Sequence, residues 1–286
     1  MIPEPQKTYL LEPPIALGTS AEDFVLAGAQ SMKFTLRGAR ATRGFDFLLD
    51  VVRLRERDGG IKQILDFLGC RVAPESRNSQ FEKTIPNSQE IMRIEFMAPH
   101  ELKRKKDFRV EISRGLHARE CFGGSIALHE CDSYKLTGVL PNGQPASATL
   151  RVTRPTALVL LKLLALDDRY RNIRGRAEAE HDREEAQTHA ADVIAIMTAS
   201  LDTDAFRRTF LNQLQTQPEV ETRIKNILLE YFRADTAPGM LLYEEALRRN
   251  APADSKTRVQ LRDELNRAFR MITQLLPLGD QPRSAR

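Results

Sequence analysis

The chain has little of what marks a secreted, membrane-spanning or dedicated nucleic-acid-binding protein. It holds 3 cysteines among 286 residues. Cys70, Cys121 and Cys131 are odd in number and widely spaced, which argues against a disulfide framework and for reduced thiols, as in a cytosol. Long apolar runs are missing as well. The longest, Ala157 to Leu166, is interrupted by Lys162 and is too short to cross a bilayer. The opening MIPEPQKTYLLEPP has no basic region leading into an apolar one, so a secretory leader is not expected. Neither sign of charge dominates: the formal charge is +4 and the pI about 9.0. That balance permits nucleotides or RNA as partners without being the composition of a dedicated nucleic-acid binder. A soluble, cytoplasmic protein with no membrane partner is expected.

At 41% hydrophobic and 29% charged, a chain of this length can bury two cores. The expected class is α+β: a mixed-sheet domain over 1–154, a helical domain over 155–277 and a disordered tail over 278–286. Phe24 to Ala27 reads as a short apolar strand that breaks at Gly28, and the residues from Ala29 to Leu36 suit a helix. GFDFLLDVV, rich in aromatic and branched residues, has the pattern of a largely buried strand. Ile61, Ile64, Leu65 and Leu68 recur at helical intervals, with Gly69 as the stop. Further strands are expected at IMRIEFM, at DFRVEIS and near SIALHE. YKLTGVLPNGQPASATLRV reads as a hairpin turning at Asn142-Gly143. Beyond Pro155 the texture is helical: TALVLLKLLALDDRYR, then about Glu178 to Ala199, then stripes at Ile224, Ile227, Leu228, Tyr231 and at Leu261, Leu265, Ala268, Ile272. Asp254 or Ser255 is the candidate N-cap of the last helix.

Three segments carry possible chemistry. LAGAQSM sets a strand, a glycine and a helix start in order, so backbone N–H groups face a potential phosphate. RATRGFDFLLD follows, with Asp46 on a strand, and MRIEF places Glu95 on another. Together, in this order, they resemble the nucleotidyltransferase superfamily with its polymerase-beta-like fold. Within it the chain looks most like the AbiEii-type nucleotidyltransferases, which include toxins of toxin–antitoxin systems. That family has Gly-Gly or Gly-Ser at a strand-to-helix turn, then Arg-x-Thr-x-Asp-x-Asp, then an acid on an adjacent strand. Gly28 and Ala29 fall on the glycine motif, with Gln30 and Met32 in the helix that follows. Arg40 and Thr42 fall on the Arg-x-Thr element, Asp46 on the second acid and Glu95 on the later one. VTRPTALVLLKLLALDDR resembles the family's proline-led helix, with Lys162, Ala165 and Arg169 on its pattern. DREEAQTHAADV resembles its Lys-Asp-x-x-Asp segment, with Asp192 on the last acid and His189 in place of the earlier one.

The resemblance implies an enzyme that takes a nucleoside monophosphate from a nucleoside triphosphate to a hydroxyl of tRNA, another RNA or a protein. Asp46 and Glu95 would be the catalytic, Mg²⁺-holding carboxylates. Gly28, Ala29, Gln30, Arg40, Thr42, Lys162 and Arg169 would bind the nucleotide in a cleft between the two domains. An antitoxin protein is an implied partner. Metal ions suit this reaction because they neutralise charge on the attacking and leaving oxygens, and Mg²⁺ prefers carboxylate and phosphate oxygens.

The departure is Gly44, which stands where the family's first strand acid belongs. Asp50 is no substitute, because four residues along a strand span about 13 Å. The alternative is therefore a degenerate, non-catalytic nucleotide-binding or regulatory module. A third reading is a purely structural partner protein. Plainer readings stand beside each residue: Asp46 as a cap or as a partner of Arg40 or Arg43, Glu95 as a partner of Arg93, and Lys162 as a buried stem with its ammonium reaching solvent. Lys103 to Lys106, KRKK, is a solvated turn or a phosphate contact. The spacing of His117, Cys121, His129 and Cys131 matches no standard zinc site.

Overall fold

The computed structural model describes residues 2, 4–36, 39, 44–57, 60–74, 76–86, 89–99, 109–172, 175, 178–200, 203–250 and 258–275. Arg40, Thr42, Arg43, the KRKK run, Asp254, Ser255 and the expected tail lie outside them. The protein is α+β, with 9 strands and 11 α-helices among the described residues. It divides into two compact units, Met1–Leu158 and Val159–Arg286.

The first unit runs α1 (Gln6–Leu17), β1 (Phe24–Ala27), α2 (Gly28–Thr35), β2 (Gly44–Leu49), α3 (Val51–Arg57), α4 (Ile61–Phe67), β3 (Arg71–Val72), β4 (Gln80–Thr84) and β5 (Ile91–Pro99). It continues with β6 (Arg109–Ser113), β7 (Leu116–Cys121), α5 (Gly124–His129), β8 (Cys131–Val139) and β9 (Pro145–Thr153). The strands form one mixed sheet in the order β3-β4-β5-β2-β1-β9-β8. β1 is antiparallel to β2 and parallel to β9, while β2 is parallel to β5. β5 is long enough to pair with β4 along its first half and with β7 along its end, so the sheet forks there.

The strand FVLA is buried at all four positions, as expected of a central strand covered on both faces. In β2 the side chains alternate. Phe45, Phe47 and Leu49 enter the apolar core with Phe24, Ile94 and Phe96, leaving Asp46 and Leu48 on the other face. Phe24 meets Phe47 and Phe96 edge-on, each with ring centroids 6.0 Å apart, and Phe81 meets Phe96 at 5.7 Å. Rings in these geometries add about 0.5–1.5 kcal/mol per pair beyond the area they bury. β2 stops one residue before Asp50. Its carboxylate accepts the Arg53 N–H at 3.3 Å and caps α3, so the apolar run GFDFLLDVV is a strand followed by a helix start.

SIALHE is a helix, α5, and not a strand. Gly123 enters it at φ 77, and Ile126, Ala127 and Leu128 are buried consecutively, a pattern that fits either element when read from sequence. The preceding strand is β7. The hairpin forms as β8 and β9, closed where the Leu140 N–H donates to the Gln144 carbonyl and the Gly143 N–H to the Leu140 carbonyl, with Gly143 at φ 83.

The second unit is helical: α6 (Pro155–Arg171), which begins before the division, then α7 (Ala179–Ala199), α8 (Thr203–Gln215), α9 (Pro218–Phe232), α10 (Pro238–Asn250) and α11 (Arg258–Ile272). Three of these begin on proline, whose fixed φ and missing N–H suit a first turn. α7 packs on α10 and α11, and α9 on α8 and α10. Among the described residues no helix is long and apolar enough to cross a membrane.

Candidate functional site

In the mixed-sheet unit, β1 ends at Ala27 and Gly28 turns the chain into α2 at φ +64, a region that side chains with a Cβ enter at a cost. Ala27 lies opposite Asp46 across the β1–β2 ladder. The Asp46 carboxylate therefore rests directly over the Gly28 backbone. A Cβ on Gly28 would stand 1.7 Å from Asp46 Oδ2 and 2.7 Å from its Cγ. Glycine is required here twice over, by φ and by contact.

The first turn of α2 follows immediately. Ser31 donates its hydroxyl to the Gly28 carbonyl at 2.7 Å, and Ala29 is buried. Gln30 is 0% exposed, and neither its amide nitrogen nor its amide oxygen has a hydrogen-bond partner among the described residues. Burying an unsatisfied amide costs roughly 1–3 kcal/mol, so its place in the fold is not explained by packing alone.

Asp46 and Glu95 are register partners on the parallel β2–β5 ladder, so their side chains share the face opposite the aromatic core. Adjacent strands run about 4.8 Å apart. Glu95 Oε1 is buried and accepts no hydrogen bond among the described residues, although Arg119 Nη1 approaches it to 3.6 Å. Arg119 comes from β7, opposite Met97, two positions along β5 on the same face. Cys121 follows it on that face. Burial pushes the Cys121 thiol up to about 12; Arg119 opposes this shift, and the charges of Glu95 and Asp46 add to it.

Gly44 occupies the position two residues before Asp46, opposite Arg93. A Cβ there would have no neighbour nearer than the Arg93 carbonyl at 4.0 Å. Arg93 pairs with Glu82 through Nε to Oε1 at 2.8 Å, so Glu82, not Glu95, is the acid that its ion pair engages.

Sequence reading brought together Gly28, Ala29, Gln30, Asp46 and Glu95, and these are gathered at one sheet face and its adjoining helix start. Arg40 and Thr42 lie outside the described residues. Lys162 and Arg169 belong to the helical unit, where each meets an acid. Lys162 Nζ is 2.7 Å from Asp192 Oδ2, both side chains being buried, and Arg169 donates to Asp182 at 3.1 Å. Beside them, Asp167 accepts from Arg171, Arg223 and Tyr231. Burial alone would raise its pKa, but these donors outweigh burial and hold it below the ordinary carboxylate value. Arg119 was not read from the sequence as a site residue. The signal was available in LHAREC, where Leu116 and Ala118 are buried and His117, Arg119 and Cys121 alternate with them.

The zinc set does not assemble. His117 Nδ1 meets the Arg77 carbonyl and His129 Nδ1 the Ser125 carbonyl, and no group of three or more potential metal ligands converges among the described residues. For Mg²⁺ the donor set is two carboxylates on adjacent strands, one with a buried oxygen that lacks a hydrogen bond. This fits the protein share of a single ion, whose remaining ligands are commonly phosphate oxygens and water. No protein-family model matches the chain, and no curated protein matches it significantly.

Proposed function

We propose that this chain is a nucleotidyltransferase-like protein that binds a nucleoside triphosphate at the start of α2 and transfers its nucleoside monophosphate to a hydroxyl of RNA or protein. The observation that carries the reading is the Asp46–Glu95 pair set in register beside Gly28, where a carboxylate of β2 meets the glycine turn and the helix start that follow β1. The backbone N–H groups of the first turn of α2, which have no intrahelical acceptor, favour anionic phosphate oxygens. Gln30, with both amide atoms lacking partners among the described residues, has donors and acceptors to spend on a ligand. Asp46 and Glu95 would hold Mg²⁺, which when bound neutralises charge on the triphosphate and on the departing pyrophosphate. The acceptor hydroxyl attacks the α-phosphorus and gives up its proton to solvent water. The bond from that phosphorus to the α–β bridging oxygen breaks, and pyrophosphate carries away the electron pair. Acting as the toxin of a toxin–antitoxin pair is the biological setting that the family resemblance suggests.

A second reading has its own support. Gly44 removes one carboxylate from the strand, and Arg119 places a cation on Glu95, which together favour nucleotide binding without turnover. One experiment separates the two. Triphosphate labelled at the α-phosphate is bound with and without Mg²⁺ and then incubated with total RNA. Mg²⁺-dependent label transfer that Asp46→Ala abolishes is the expected result. Triphosphate binding with no transfer, unaffected by Asp46→Ala, would overturn the enzyme and leave the binding module.

A further inference from the structure

We propose that Arg119 is the built-in counter-ion of the Asp46–Glu95 pair, a positioning residue that competes with the divalent cation for Glu95 and sets how tightly that cation binds. The inference rests on the carboxylate pair of the proposed function and concerns its regulation.

Four features point to it. The β5–β7 register fixes Arg119 on the same face as Glu95, so their encounter is imposed by the sheet. The contact is an ion pair at 3.6 Å and not a hydrogen bond, since Glu95 Oε1 accepts none among the described residues. A guanidinium that met this carboxylate as a permanent structural partner would be expected to make the short, paired bonds such groups favour. The Arg119 side chain is also 38% exposed, against 21% for Glu95, which gives it solvent into which to withdraw. Finally, Asp46, Glu95 and Arg119 lie on one face of three neighbouring strands, so the three charges act on one small volume.

The electrostatics follow from the charge count. With Arg119 in place, the three groups sum to one negative charge, and without it to two. A divalent ion about 6 Å from a fixed unit positive charge is repelled, even at the dielectric of water, by enough to weaken binding about tenfold. While the guanidinium stays on Glu95, the pair is less receptive to stray divalent ions. A ligand that brings its own phosphates gives Arg119 an alternative anion, and Glu95 is released to the metal. The triphosphate–metal complex is thereby favoured over the bare metal.

The test measures Mn²⁺ binding to the full chain by electron paramagnetic resonance, with and without a non-hydrolysable triphosphate. Arg119→Gln is expected to bind bare Mn²⁺ about tenfold more tightly than wild type. Arg119→Lys, which keeps the charge, should stay within about threefold of wild type. In Arg119→Gln the enhancement of Mn²⁺ binding by triphosphate should shrink. Arg119→Met is carried in parallel, with thermal unfolding of each variant, so that a folding defect in one variant does not decide the outcome. Wild-type binding that Asp46→Ala weakens, but that neither Gln nor Met at 119 strengthens, would overturn the inference and leave the carboxylate pair standing. If neither wild type nor either neutral variant binds Mn²⁺, the carboxylate-pair reading itself falls, and the inference with it.

Discussion

Replacing Gly28 by alanine tests the geometry on which the candidate site depends. Two penalties apply. The backbone at φ +64 costs an L-residue roughly 1–2 kcal/mol. The new Cβ would also stand 1.7 Å from Asp46 Oδ2 and 3.0 Å from Asp46 Cβ, so the carboxylate must rotate away. Holding a side chain off its preferred rotamer costs about 0.5–1.5 kcal/mol. Alanine recovers about 0.4–1 kcal/mol by narrowing the unfolded ensemble. The net expectation is a loss of about 2 kcal/mol. The clash term requires the Asp46 side chain and the backbone term does not. In an Asp46→Ala background, Gly28→Ala should therefore cost about 1 kcal/mol less, a coupling that a double-mutant cycle measures. Because the chain divides into two units and has no tryptophan, peptide-resolved hydrogen exchange over β1 and β2 is the suitable readout. Equal cost of Gly28→Ala in both backgrounds would refute the contact between the glycine turn and the carboxylate. So would a cost below about 0.5 kcal/mol in wild type.

Gly44→Asp should be accommodated, since the nearest atom to its Cβ is 4.0 Å away and the position shares a face with Asp46. It is expected to raise Mg²⁺ affinity at least about tenfold, with Mg²⁺ raising the melting temperature more than in wild type; an unchanged melting shift would show that the strand is not aimed at a cation. Lys162→Met should destabilise the helical unit by about 3–5 kcal/mol, because Asp192 is 2% exposed and loses its ammonium, while Lys162→Met with Asp192→Leu should recover most of that. Urea unfolding followed by helical circular dichroism checks it. Lost triphosphate binding with unchanged stability would instead make Lys162 a phosphate contact.

Parts of this architecture were legible because the local pattern and the tertiary requirement agree. Phe24 to Ala27 is a continuous apolar run ended by a glycine, and it is the strand β1 with those bounds. The helices α6 and α7 announce themselves by length and, for α6, by a proline start. Other parts were hidden where tertiary packing overrides propensity. Pro13 and Pro14 argue against a helix, yet α1 forms and buries Tyr9, Leu10, Leu11 and Leu17. β4 sets polar residues around the single buried Phe81 and pairs with β5, and the two exposed residues of β3 acquire strand geometry from β4. Asp46 and Glu95 were legible as residue types in order, but their exact pairing is a matter of register. A slip of one residue would turn one carboxylate into the aromatic core. Arg119 was hidden for the same reason: its relation to Glu95 exists only once β7 has joined the end of β5.

The pairing inside the helical unit bears on where chemistry should be sought. The resemblance placed Lys162, Arg169 and Asp192 on a functional pattern, and in the fold Lys162 and Asp192 neutralise each other while Arg169 neutralises Asp182. Asp182 is 0% and Asp192 2% exposed, so an unpaired charge at either would be costly. These spacings, two cations on α6 and two acids on α7, suit ion pairs formed between the two helices. In the mixed-sheet unit the buried Gln30 amide has no hydrogen-bond partner among the described residues, and the Glu95 oxygen is met by Arg119 at 3.6 Å without a hydrogen bond. A buried amide left without a partner at such cost is what a binding site requires and a purely structural module does not. The chemistry of this protein is therefore expected at the junction of β1, α2, β2 and β5, with the helical pairs serving stability.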